Sequence, residues 1–171
     1  PSESGELTVW RLDMSKTFVP LTTVLAVDVG QFRVLWAAPD GKRLLALDRS
    51  RRSRVELVEI DGKRGRRTTL AADPRADVES ALVDPTSGVP HGVTVSHPTR
   101  IWQPLSPAAR DLAAAFDGAD AGELEALGRS TAGHEWLLRM TRPDQPTRYH
   151  VWGPRAQSPT GLALGIVPGG A

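Results

Sequence analysis

QFRVLWA (31–37), KRLLALD (42–48), VELVEID (55–61) and TTLAA (68–72) are short apolar runs separated by turn chemistry, and their reading decides the fold. Pro39-Asp40-Gly41 lies in the first gap, a polar arginine-serine loop in the second, and Gly62 in the third. Short runs rich in Val, Ile, Leu and Trp, bounded by Gly, Pro and Asp, are strands rather than helices. Consecutive strands joined by short turns pair antiparallel, so residues 31–72 form a four-stranded meander. Val34, Leu35 and Trp36, and Leu44, Leu45, Ala46 and Leu47, put apolar groups on both faces of their strands. That is the pattern of a sheet covered on both sides.

The unit recurs. Third strands end at Asp13 after LTVWRL, Asp61 after VELVEI, Ser106 after TRIWQPL and Gly153 after RYHVW, spacings of 48, 45 and 47 residues. One small twisted sheet cannot bury either face alone, so this period implies sheets stacked side by side, as in the blades of a β-propeller. The expected fold is all-β: a partial β-propeller of about three and a half four-stranded antiparallel blades with one short inserted helix. Residues 1–171 then form a single propeller segment, divided into a partial blade (1–24), a blade (31–72), a blade carrying a helix (78–120, helix 107–117) and a last blade (122–167). The partial blade is a hairpin of LTVWRLD (7–13) and TFVPLTTV (17–24), with Pro20 suited to an edge strand.

VESALVD (78–84), HGVTVSH (91–97) and RIWQPLS (100–106) are strands of the third unit. Its fourth strand is interrupted: Ser106 caps a helix with Pro107 at the first position, and Ala108, Leu112, Ala115 and Phe116 make its apolar stripe, ending near Asp117-Gly118. GELEALG (122–128) has helical composition but occupies an inner-strand slot and is read as strand. EWLLRMT (135–141), the Pro143-Asp144-Gln145-Pro146 turn, TRYHVW (147–152) and TGLALGIV (160–167) complete the last unit. Trp10, Trp36, Trp102, Trp136 and Trp152 all fall in predicted strands, where their large rings would fill the wedges between sheets.

Periodicity alone fits WD-repeat and TolB-like propellers as well. Ala72-Asp73-Pro74-Arg75-Ala76-Asp77-Val78-Glu79, then Asp84-Pro85-Thr86, Gly88 and Pro90, together with RYHVW, carry a more specific likeness. Over about residues 31–153 the chain resembles the propeller domain of prolyl oligopeptidase family serine peptidases, in particular the bacterial acylaminoacyl-peptidase-like branch. Residues 153–171 match that pattern poorly. The resemblance implies a propeller that covers the active site of an α/β-hydrolase domain and admits only short peptides, with inner strands such as 31–37 and 78–84 lining the channel. The alternative is a stand-alone propeller-type binding module for a protein or an anionic partner.

No catalytic residue is carried over. Such peptidases hold their Ser, Asp and His on the hydrolase domain, with the serine in a G-x-S-x-G elbow. Here the nearest string, Gly128-Arg129-Ser130-Thr131-Ala132-Gly133, has its second glycine one place too far and lies in a turn between strands. The parent protein is expected to be a hydrolase, and this segment by itself inactive.

The histidines give no metal or cofactor site. His91 and His97 share one strand but stand roughly 20 Å apart along it. His134-Glu135 opens like H-E-x-x-H, but position 138 is Leu and the segment reads as strand. His150 alternates with Tyr149 and Val151 and reads as a structural histidine with its hydrogen bonds satisfied. Asp40, Asp61, Asp84 and Asp144 stand beside Gly or Pro and read as turn caps. Asp73 and Asp77 flank Arg75, and an Asp–Arg contact is expected to fix the junction between sheets.

Between Lys42 and Arg67 there are ten basic residues and four acidic ones, clustered at Arg49, Arg51, Arg52 and Arg54 and at Lys63, Arg64, Arg66 and Arg67. Such runs can neutralise phosphates. In a meander, however, they emerge at opposite ends of the sheet, which argues against nucleic acid as a partner. Net charge is +1, charged residues make up 24% and apolar ones 40%, ordinary for a globular domain. Zero cysteines exclude disulfides and thiolate chemistry. Eighteen arginines stand against three lysines, a bias of GC-rich coding. No apolar run long enough to span a membrane and no signal-like leader occurs, so a cytoplasmic location and no membrane partner are expected. A first residue other than Met, a start on a third strand and fewer than the about four to eight blades of a closed propeller read as a trimmed piece of a longer chain. Its open blade edges would pair with the rest of that chain or with a second copy.

Overall fold

The structure is a computed structural model that describes residues 5–12, 15–50, 52–116 and 123–153, and the backbone alone over 162–166. Expectations that fall on 1–4, 13–14, Arg51, 117–122, 154–161 and 167–171 lie outside the described residues.

The chain is mostly β, arranged as four antiparallel sheets in sequence order with two helices. β1 (Leu7–Leu12) and β2 (Phe18–Val24) form a two-stranded sheet, followed by a short 3-10 helix over Ala26–Gln31 that the sequence pattern did not anticipate. β3 (Arg33–Ala37), β4 (Arg43–Asp48), β5 (Glu56–Asp61) and β6 (Arg67–Ala71) make the expected four-stranded meander. β7 (Val78–Val83), β8 (Pro90–Ser96) and β9 (Arg100–Pro104) form a three-stranded sheet, after which α1 (Pro107–Ala115) replaces a fourth strand. The last sheet runs β10 (Glu123–Arg129), β11 (Trp136–Arg142), β12 (Gln145–Trp152) and β13 (Leu162–Ile166). GELEALG is thus a strand despite its helical composition, because tertiary pairing with β11 outweighs weak local propensity.

The cores lie between sheets. Leu44 and Ala46 of β4 and Val58 and Ile60 of β5 pack with Val24 of β2, Phe32 and half-buried Val9 of β1. Leu47 and Leu57 belong to a second core with Val78 of β7 and Val93 and Val95 of β8. Alternate residues of one strand therefore serve opposite neighbours, the two-residue period of a strand buried on both faces. A third core joins Trp102 of β9, Ala109, Leu112 and Phe116, and Ala126, Trp136 and Leu138 of the last sheet. Each core is shared by successive sheets.

Two sequence expectations are corrected here. Leu112 and Phe116 are buried and Ala108 packs partly buried against the same core, as expected, but Ala109 is buried as well and Ala115 is exposed, so the predicted stripe fails at Ala115 alone. Trp10 fills no wedge: it is 55% exposed, and Phe18 of β2 is 69% exposed, whereas Val9 and Leu21 of the same sheet pack against the core with β4 and β5. Trp36 is half-buried and donates its Nε1–H to the Pro85 carbonyl at 3.0 Å, tying β3 to the next sheet.

The junction from Ala72 to Glu79 turns the chain from one sheet to the next. Asp73 accepts the backbone N–H groups of Arg75 at 2.8 Å and Ala76 at 3.1 Å, and takes the Gln103 amide at 3.1 Å. Asp77 accepts the N–H of Val55 at 2.9 Å, and Val78 N–H reaches the Val55 carbonyl at 3.0 Å. The expected Asp–Arg pair is instead carboxylate capping of main chain, which satisfies N–H groups that no strand ladder reaches.

Candidate functional site

Turn carboxylates hold backbone. Asp40, Asp61, Asp73 and Asp84 each accept main-chain N–H groups from residues two or three further on. Those hydrogen bonds hold each carboxyl below its ordinary range: Lys42 N–H acts on Asp40, Arg64 N–H on Asp61, Arg75 N–H on Asp73 and Ser87 N–H on Asp84. Asp144 is lowered chiefly by the Arg142 guanidinium, at 3.2 Å. No two of these turns form an acid–base pair.

The basic runs leave from opposite ends of the β3–β6 sheet, residues 49–55 joining β4 to β5 and 62–66 joining β5 to β6. Several of their cations are engaged. Arg67 Nε donates at 2.6 Å to Asp48, a carboxylate with 0% exposure, and Arg52 Nε pairs with Glu56 at 2.7 Å. Arg49 reaches Gln31 at 2.8 Å and Arg54 the Pro74 carbonyl at 3.2 Å. These contacts tie the basic segments to the sheet and its neighbours.

His91 sits in β8 and is buried; His97 follows the strand and is exposed. His134 is exposed in the turn before β11, not in a strand. His150 in β12 is buried with 6% exposure, yet among the described residues neither ring nitrogen has a hydrogen-bond partner, which departs from the satisfied histidine expected. The strand parity that predicted its burial says nothing about what its ring would meet. Ser130 caps its own turn, its hydroxyl accepting the Glu135 N–H at 3.1 Å.

What the sequence did not bring together is a row across three strands. Register places Arg129 of β10 opposite Trp136 of β11, and Trp136 opposite Trp152 of β12, so the three side chains share one sheet face. The Arg129 guanidinium lies 4.9 Å over the Trp136 ring, a cation–π contact. Trp136 also meets His91 edge-on at 5.1 Å and Trp102 edge-on at 6.5 Å. Arg129 Nη1 stands 3.5 Å from His91 Nε2, and His91 Nδ1 is 2.9 Å from Ser106 Oγ, which also accepts the Ala109 N–H at the start of α1. Burial, then the Arg129 charge, hold His91 below its ordinary pKa, with Asp84 pulling weakly the other way. A neutral ring accepting from Arg129 at Nε2 and donating to Ser106 from Nδ1 fits this geometry.

Between this row and α1 opens a cleft of about 480 Å³, lined by Ala108 and Asp111 of α1, Arg129, Gly133, His134, Trp136, Trp152 and Gly153. A signal for it was present: a turn of six residues, 130–135, between β10 and β11 sets Arg129 against Trp136 once the strands are placed.

The chain is distantly similar to a known peptidase. Over 144 residues it is 27% identical to dipeptidyl aminopeptidase BIII of Pseudoxanthomonas mexicana, covering 84% of this chain. The chain spans about a fifth of the length of that relative, 20%. No family model matches it. The likeness relates this chain to part of a peptidase. Among the described residues no helix is long and apolar enough to cross a membrane.

Proposed function

We propose that this chain is a non-catalytic propeller segment of a serine peptidase of the prolyl oligopeptidase family, and that it gates access of short peptides to a hydrolase domain carried elsewhere in the same polypeptide. The observation that carries this reading is the sharing of each core by successive sheets, each four-stranded or shorter and each a simple meander. Stacking of that kind is how blades bury faces that none could bury alone. The distant likeness to a dipeptidyl aminopeptidase supports the choice of family.

Under this reading the first strands of the later sheets, β3, β7 and β10, are sheet edges and line a passage. Val34 and Arg33 of β3 are exposed, as such a lining requires. Selection comes from exclusion: an extended short peptide threads the passage and a folded chain does not. The segment supplies no nucleophile, since Gly128 and Arg129 end strand β10 and the turn that follows, with Ser130 engaged with its own backbone, is no strand-to-helix elbow.

The test uses the product of the whole gene beside the isolated chain. The whole product is expected to release the chromophore from dipeptidyl substrates, lose that activity to a serine-directed inhibitor, and leave folded proteins intact. The isolated chain is expected to show no turnover. Inhibitor-sensitive turnover by the isolated chain, or equal attack of the whole product on folded proteins, contradicts the proposal.

A further inference from the structure

We propose that the cleft between α1 and the Arg129–Trp136–Trp152 row binds a carboxylate carried on an apolar or aromatic group, the chemistry of a peptide's C-terminal hydrophobic residue or of a free aromatic acid. This goes beyond the gating role and does not depend on it.

Arg129 is a half-buried guanidinium that lies within ion-pair distance of no carboxylate among the described residues. Among the described residues its one hydrogen-bond neighbour is His91 Nε2, at the long distance of 3.5 Å, and its Nε–H is buried without a partner. A guanidinium offers five N–H donors in a planar fork that matches a carboxylate. Most of that capacity is unused here. Other buried or part-buried arginines of this chain behave differently: Arg67 holds Asp48, Arg52 holds Glu56 and Arg139 holds Glu125.

Apart from Asp111 and His134 at its margin, the rest of the cleft is apolar. Trp136 is 3% exposed and locked between Arg129, His91 and Trp102, so it holds the guanidinium plane in place. Trp152 adds a second indole whose Nε1–H is buried and has no hydrogen-bond partner among the described residues. Ala108 forms the opposite wall and leaves room that a larger side chain would fill. The volume of about 480 Å³ falls in the range of small-ligand sites, which pair apolar walls with few polar groups. A single cation with the Asp111 carboxylate also lining the cleft favours a monoanion over a phosphate dianion.

The sequence reading did not assemble this site, since Arg129 belongs to a turn-like string and the tryptophans read as wedge fillers. Pairing across β10, β11 and β12 creates it.

The test titrates the chain with N-acetyl-L-phenylalanine and, separately, with its neutral amide, reading the indole N–H resonances of Trp136 and Trp152 by NMR and the affinity by calorimetry. The acid is expected to bind saturably and to shift both indoles, with the amide about ten- to a hundredfold weaker, the loss of one charged hydrogen-bonding group. Arg129→Met is expected to abolish the preference for the acid, and Trp152→Leu to weaken both ligands while keeping it. A Gly-Gly-Phe tripeptide distinguishes the sources: tighter binding than the acetylated residue assigns a peptide C-terminus, equal binding a free acid. Equal affinity for acid and amide, no shift at either indole, or undiminished acid preference in Arg129→Met overturns the proposal. If Arg129→Met does not fold, the acid–amide comparison on the native chain decides.

Discussion

His91 carries more of the local design than any neighbouring residue. It sits among Ser106, Arg129 and Trp136, with Asp84 the one acid acting on it, and its folded pKa lies below the ordinary value of about 6.5. As pH falls through about 6.5 the unfolded chain takes up its proton first, so stability falls from there down to the folded pKa and no further. Above about 6.5 both states are neutral and this residue contributes no slope. Urea denaturation at stepped pH is expected to show that loss, and His91→Gln to remove it. The separate acid limb below about pH 4 stays in the variant, because the depressed turn carboxylates of Asp40, Asp61, Asp73 and Asp84 lose their stabilisation only as they protonate. An unchanged slope near pH 6 in His91→Gln would contradict this assignment.

At the scale of elements, α1 is fastened at its first turn. Ser106 Oγ accepts the Ala109 N–H at 3.2 Å and meets His91 at 2.9 Å, and Pro107 occupies the position where a missing N–H costs nothing. Ser106→Ala is expected to lower unfolding free energy by about 1–2 kcal/mol, read from thermal or urea melts, with Ser106→Asp recovering part of it. The cap and its proline were legible in the sequence because their chemistry is local. So was the β3–β6 meander, whose turns at Asp40 and Asp61 are built from hydrogen bonds between residues two or three apart. The exposed face of α1 was misplaced at Ala115 because alanine fits either side of a helix and only the partner sheet decides. The Arg129 row, the surroundings of the His150 ring and the exposure of Trp10 depend on which strand lies opposite or which sheet lies next. Gly92 is a further case: a methyl group there would run into the Trp102 indole, and nothing within β8 announces that ring.

For the whole molecule, stability is concentrated between sheets. Leu57 is fully buried in the core shared by the second and third sheets, whereas Phe18 stands 69% exposed on the first. Leu57→Ala is expected to cost about 2–5 kcal/mol by the transfer and cavity terms. Phe18→Ala is expected to change stability by no more than about 0.5 kcal/mol. Equal costs at the two positions, measured by urea unfolding, would mean that the faces of these sheets are not covered as described. The claim on which fold, gating role and cleft all rest is that successive meanders stack face to face in chain order. Methyl–methyl nuclear Overhauser spectra of the chain test it directly. The account predicts cross-peaks joining Leu47 and Leu57 to Val78, Val93 and Val95, and Leu112 to Leu138, whereas cross-peaks confined within each sheet would contradict it.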